Sequence, residues 1–184
     1  MTNTSAPKKP GGYQNLIVYQ QAVIIYDLNI KFCQRYLADY GKGTPTRRTV
    51  DQMIQAARSG KQNIVEASLE KSLKLNIKLT GVARASFGEL KEDYMDFLRI
   101  RTLPIWDKND PRVLEIRLNK TNLANWANLT NVPERFANLM ITLISRESYL
   151  LDQLLRSLEQ KFINEGGYSE NLFRKRLQQR EKTG

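Results

Sequence analysis

The chain predicts an all-α fold: an antiparallel four-helix bundle with a short helical excursion between helices three and four, followed by a basic C-terminal helix. Three observations carry that expectation. Apolar residues recur at steps of three and four in four long stretches, and no stretch alternates at the strand period. The chain has 184 residues, the size of one ordinary domain. Between Arg47 and Arg101 there is no proline but an unusual density of Ala, Gly and Ser, and small residues on a helix let a neighbouring backbone come close.

Each element follows from its own punctuation. Residues 1–12 hold two prolines, two glycines and two lysines, the composition of a flexible arm. From Leu16 an apolar stripe runs through Tyr19, Val23, Tyr26, Ile30, Cys33 and Leu37, a first helix that stops before Gly41 in the loop GKGTP. Thr46 or Thr49 is placed to cap a second helix, whose stripe is Val50, Met53, Ile54, Ala57, Ile64 and Ala67. A third helix, from about Leu73 to Leu103, shows Leu75, Leu79, Val82, Ser86, Leu90, Tyr94 and Phe97 or Leu98, and Pro104 ends it. Residues 104–131 break the pattern. Asp110 as cap with Pro111 at the first helical position predicts a short helix there, and Trp106 and Trp126 are expected to anchor this insert to the bundle. Asn131, with Glu134 three residues on, opens a fourth helix in a cap-like arrangement. It runs through Phe136, Met140, Leu143, Leu150, Leu154, Leu158 and Phe162 to Gly166–Gly167. After Ser169 the tail reads as a short amphipathic basic helix. The domain plan is therefore an arm at 1–12, a bundle at 13–165 with its insert at 104–131, and a tail at 166–184.

Composition narrows the function. No apolar run is long enough to span a bilayer, and the basic N-terminus lacks the apolar segment of a secretory signal. A cytoplasmic protein is expected. The single Cys33 reads as a buried structural thiol, with a redox or nucleophilic role as the alternative. There is no histidine, so the commonest general base and metal ligand are missing, and only a carboxylate site for Mg²⁺ or Ca²⁺ would remain. No phosphate loop or nucleophile elbow is present. No enzyme activity and no cofactor are expected. Glu89, Glu92, Asp93 and Asp96 lie at spacings of three and four, which suits a metal or an acid–base pair. With Lys91 and Arg99 beside them, a solvated or salt-bridged face is the favoured reading.

The net charge is +10, and its distribution is uneven. Residues 41–88 carry nine bases against three acids, and residues 168–184 carry five against two. An excess of this size favours a polyanion, most simply nucleic acid, although a soluble protein of basic isoelectric point would show it too. The candidate phosphate contacts are Arg47, Arg48, Arg58, Lys61, Lys71, Lys74 and Lys78, with Arg174, Lys175, Arg176 and Arg180 in the tail. Such contacts confer affinity and salt dependence but little sequence selection. Lys61 lies in register with Ala57 and Ile64, where a lysine must snorkel, pair, or face something outside the monomer. One reading is a polar clasp between helices two and three that also involves Asn63 and Glu66; the other is a subunit interface or a lined pore, which would suit Arg58 as well. Gly60, Gly81, Ala83, Ala85, Ser86 and Gly88 are expected to be packing residues.

The segments QAARSGKQNIVEAS and VARASFGELKEDYMDFLR resemble the central hairpin of the S23, or 23S rRNA intervening-sequence, four-helix-bundle proteins. The accessory variability determinants of diversity-generating retroelements are similar. The family pattern "AA…NIAEG" is met by Ala56, Ala57, Asn63, Ile64 and Glu66, while Val65 and Ala67 depart from its Ala and Gly. LPIWDKNDPR at 103–112 and GGYSENLFRKR at 166–176 resemble the variant with a four-helix-bundle suffix region. The resemblance implies a ring-forming homo-oligomer, often a pentamer, whose basic surface engages RNA or DNA, RNA being the first expectation. In the retroelement branch it implies a reverse transcriptase as partner, and the alternative expectation is a protein-interaction scaffold or accessory subunit of such an enzyme. It carries no catalytic residues across.

Overall fold

The computed structural model describes residues 12–37, 46–118 and 128–183. The expected arm, the GKGTP loop and Trp126 lie outside these residues. A 3₁₀ turn at Tyr13–Asn15 leads into α1 (Ile17–Tyr36), α2 (Thr46–Leu69), α3 (Leu73–Ile100), α4 (Pro111–Leu118), α5 (Pro133–Glu165) and α6 (Tyr168–Thr183). Among the described residues there is no strand. The four long helices α1, α2, α3 and α5 pack in a closed circuit, α1 on α2, α2 on α3, α3 on α5 and α5 on α1, and α4 packs on α5. The protein is an all-helical bundle with one core.

That core is built around Phe32, whose ring meets Tyr36, Tyr94, Phe97 and Phe136 at centroid distances of 4.8–5.4 Å. Polar links across the helices set their register. Asn29 on α1 donates to the Met53 carbonyl of α2 (3.1 Å) and accepts from the fully buried Tyr94 hydroxyl of α3 (2.8 Å). Gln21 donates to the Leu143 carbonyl of α5 (3.2 Å). Because buried polar groups cost free energy unless paired, these bonds penalise any slip between helices.

The helix termini follow local chemistry, with two corrections. Asp110 caps α4 as expected, accepting from the Arg112 amide at 2.9 Å with Pro111 at the first position. The expected Asn131 cap does not form. Val132 takes the cap position with Pro133 behind it, Asn131 instead accepts from Arg35, and Glu134 accepts from the Trp106 indole at 3.0 Å. Since α2 begins at Thr46, Thr49 lies inside its first turn and is not its cap. Helix α3 ends at Ile100, before Pro104. Thr102 turns into the left-handed region at φ 54°, and the Leu103 amide reaches back to the Leu98 carbonyl at 2.9 Å. This is the hydrogen-bond pattern of a Schellman stop.

Two stripes are rotated from expectation. On α1 the buried positions are Val18, Gln21, Ala22, Ile25, Leu28, Asn29, Phe32 and Cys33, whereas Leu16, Tyr19, Val23, Tyr26 and Ile30 form a half-buried flank. An apolar-only count passed over Gln21 and Asn29, the two polar residues that mark the true interior line. On α3, Leu75 and Val82 are exposed and Thr80, Ala83 and Phe87 are buried. Small residues divide likewise. A Cβ on Gly60 would stand 2.7 Å from the Phe87 ring, so that glycine permits the α2–α3 contact. Ala83 and Ser86 are buried with it, but Gly81 and Gly88 face open space and Ala85 is exposed.

Candidate nucleic-acid interface

The bundle's two ends differ in what they gather. At one end Leu16 of the α1 entry, Ile64, Ala67 and Ser68 of α2, Asn76 and Thr80 of α3, and Leu154 and Leu158 of α5 line a common groove of about 240 Å³. The start of α1, the end of α2, the start of α3 and the Leu154–Leu158 stretch of α5 are therefore neighbours. Lys71 lies in that turn, Lys74 in the first turn of α3 and Lys78 one turn on, all three exposed. Lys74 and Lys78, four residues apart, share one side of the helix. Beyond Leu158, α5 continues to Glu165, and Gly166 at φ 76° ends it before α6. The Arg174, Lys175, Arg176 and Arg180 side chains are exposed on that helix.

The remaining candidates lie elsewhere. Arg48 is exposed in the first turn of α2, about 30 Å along that helix from Lys71 at 1.5 Å per residue. Arg47 is its neighbour in the same turn, with its side chain outside the described residues. Arg58 is exposed midway along α2. Lys61 is half-buried with its ammonium 4.4 Å from the centre of the Tyr26 ring on α1, a cation–π contact that seats it inside the monomer. The clasp between α2 and α3 is made without it and without Glu66. The Ser59 and Ser86 hydroxyls meet at 3.0 Å, and Asn63 donates to the Ser59 carbonyl at 2.9 Å.

Local electrostatics separate placed cations from helix-stabilising ones. The first turns of α2 and α3 hold no acid, although carboxylates there would complement the positive end of the helix dipole. Lys74 opposes that dipole. Farther along the exposed side of α3 come Glu89, Glu92 and Asp96, so the acids of this helix gather in its second half, before Arg99 in the last turn. Asp96 pairs with Arg99 at 2.7 Å. Burial, then the neighbouring Asp96 and Glu89 charges, push the half-buried Asp93 carboxyl up to about 6. No group of three or more Cys, Asp or Glu among the described residues is arranged to hold a metal. Burial also pushes the Cys33 thiol up to about 12, which leaves it protonated and inert, as a structural thiol.

In α6 the charges follow the dipole: Glu170 in the first turn, Arg180 and Lys182 in the last. Glu170 accepts from the Gly167 amide at 3.0 Å, and Arg174 reaches the Glu165 carbonyl at 3.4 Å, bracing the end of α5. Every side chain from Tyr168 to Lys182 is exposed except Asn171.

The most conspicuous group missed in the sequence is Glu147. It lies on the buried line of α5 one turn after Leu143, is 0% exposed, and neither carboxylate oxygen has a hydrogen-bond partner. Burial pushes its carboxyl up to about 9, against a smaller opposing pull from Arg146. Its signal in the sequence is an acid at stripe spacing between Leu143 and Leu150. Trp106 takes the anchoring role expected of it: its amide donates to Asn138 at 2.8 Å, and the Arg112 guanidinium stacks on its ring at 3.9 Å.

No family model, no curated protein and no solved structure matches the chain. Among the described residues, no helix is long and apolar enough to cross a membrane.

Proposed function

We propose that the protein is a non-enzymatic, homo-oligomeric nucleic-acid-binding protein built on an antiparallel four-helix bundle, of the kind the S23 resemblance implies. The antiparallel reading draws on four pairings between helices: Asn29 by Met53, Ser59 by Ser86, Arg84 with Asp152, and Gln21 by Leu143. The observation that carries the functional reading is convergence. Lys71, Lys74 and Lys78 stand at the end of the bundle where α2, α3 and α5 share a groove, and no acid within the first turn of α3 neutralises them. Lys74, placed against the helix dipole, destabilises α3 by roughly 0.3–1 kcal/mol, so an external anion is what it suits. Arg47 and Arg48, at the far end, are a separate and secondary contact.

Filter binding of structured RNA and duplex DNA across a salt series tests the reading. Replacing Lys74 and Lys78 by Gln weakens binding to every sequence alike and flattens the salt slope by about 0.9 for each phosphate no longer neutralised. Absence of affinity for either nucleic acid at low salt refutes it. Assembly is tested separately by light scattering. Exposed Ile17, Leu69 and Leu75 at the same end offer an apolar contact, and a monomer at micromolar concentration removes the oligomer, ring or pentamer from the proposal.

A further inference from the structure

Helix α6 has 16 residues, and every side chain from Leu172 to Lys182 is exposed. A helix in a protein draws most of its stability from packing one face, and among the described residues this stretch packs none. Its charges are sorted by side. At 3.6 residues per turn, Lys175, Arg176, Arg180 and Lys182 fall on one side with Leu172 and Gln179 between them, and Glu170 and Glu181 fall on the other. Tyr168 opens the basic side, so the order along it is apolar, then basic. One side of α3 has the complementary order. Val82 and Ala85 are exposed there, followed by exposed Glu89, Glu92 and Asp96, with Asp93 half-buried at the edge. The two stripes have the same length, Tyr168 to Lys182 and Val82 to Asp96, and both advance by steps of three and four.

These stripes do not meet within one chain. Arg84 pairs with Asp152, and Asn138 donates to the Pro104 carbonyl, so α5 runs against α3. Its end at Glu165 therefore lies about 20 Å from Arg84 toward the start of α3, while Glu89 lies about 7 Å the other way. Even with the chain fully extended through Gly166 and Gly167, Lys175 reaches only about 20 Å from Glu165. Helix α6 is too short to lie along the acids of its own chain, and a second copy has no such limit.

We infer, resting on the homo-oligomer proposed above, that α6 of one copy docks along the second half of α3 of another copy. Tyr168 and Leu172 settle on Val82 and Ala85, where the small Ala85 lets the incoming helix come close. Lys175, Arg176, Arg180 and Lys182 then face Glu89, Glu92, Asp93 and Asp96, and Glu170 and Glu181 stay in solvent. A nucleic acid would match the basic side of α6 but leave the acids of α3 without a use; a second copy uses both. Each copy gives one helix and receives one, so the contact closes a ring or an exchanged pair. Lys71, Lys74 and Lys78 lie outside it and remain open to phosphate.

The test is light scattering of nucleic-acid-free, full-length protein at micromolar concentration in low salt. One variant carries Glu89→Lys with Glu92→Lys, the other Lys175→Glu with Arg176→Glu, all at exposed positions. Each is expected to raise the concentration needed for assembly at least about tenfold, because opposite charges at the contact become like charges. Mixed in equal amounts, the two variants should assemble again, since each presents the charge that the other lacks. Glu181→Lys, on the far side of α6, should assemble like the parent. A monomeric parent overturns both the docking and the homo-oligomer. An oligomeric parent whose assembly survives both charge reversals overturns the docking alone, as does a mixture that stays monomeric. Assembly that survives Lys175→Glu with Arg176→Glu while RNA or DNA binding falls assigns that side of α6 to nucleic acid and overturns it too. In none of these cases is the nucleic-acid reading decided, because that rests on the Lys74, Lys78 double variant.

Discussion

Replacing Glu147 by Met should stabilise the protein, and by an amount that grows with pH. The carboxyl is 0% exposed with both oxygens unpartnered, and burial holds its pKa at about 9 against an ordinary 4.5. Between these two values the folded state holds a proton that the unfolded chain has released, so stability falls as pH rises through the window. At pH 7 the gap above the ordinary value is about 2.5 units, or about 3 kcal/mol at 1.36 kcal/mol per unit; across the whole window it is about 6 kcal/mol. Met is unbranched and fills irregular core space, so it replaces the acid without adding a branch to the packing. Urea unfolding of parent and variant at pH 5, 7 and 9 reads the effect. The two should nearly coincide at pH 5. At pH 7 the variant midpoint should sit about 1 M or more higher, given slopes of about 1–3 kcal/mol per molar urea, and the gap should widen by pH 9. Other titrating groups cancel in the difference. A parent–variant difference that stays constant from pH 5 to 9 refutes the argument, because it would mean that Glu147 does not hold its proton on folding.

Two further expectations come from the backbone. Gly81→Ala and Gly88→Ala should each raise stability by about 0.5–1 kcal/mol, since the added methyl meets nothing within 4 Å and glycine inside a helix costs about that much. Gly60→Ala should lower it, because its methyl would stand 2.7 Å from Phe87; thermal melts of the three variants check the contrast. Thr102→Gly should stabilise by about 1 kcal/mol, because Thr102 holds φ at 54° where a β-branched residue is strained and glycine is not. Unchanged melting of that variant would show that the Schellman stop carries no strain.

Much of the fold was legible in the order of residues. Steps of three and four, Pro111 behind Asp110, and the Gly166–Gly167 stop are local codes, read within one or two turns of chain, and the structure keeps them. The basic excess before Glu89 and in the tail was countable in the same way. The rotated stripe of α1 was not, because Gln21 and Asn29 look like surface residues until the Leu143 carbonyl, the Met53 carbonyl and the Tyr94 hydroxyl are there to pair them. Lys61 looked misplaced because its partner, the Tyr26 ring, comes from another helix. Glycines divide for the same reason: nothing local separates Gly60, pressed on Phe87, from Gly81 in open space.

The candidate interface splits along the same line. By itself the sequence determined that this chain is helical, basic and without histidine, since helix periodicity and charge are properties of neighbours a few residues apart. Tertiary structure decided which cations stand near one another. Lys71, Lys74 and Lys78 stand where α2, α3 and α5 meet at one groove, while Arg47 and Arg48 are left a helix length away. It also decided that Glu147 is neutral at pH 7. A carboxyl's proton affinity depends on the water and partners around it, and those are set only once the helices have packed.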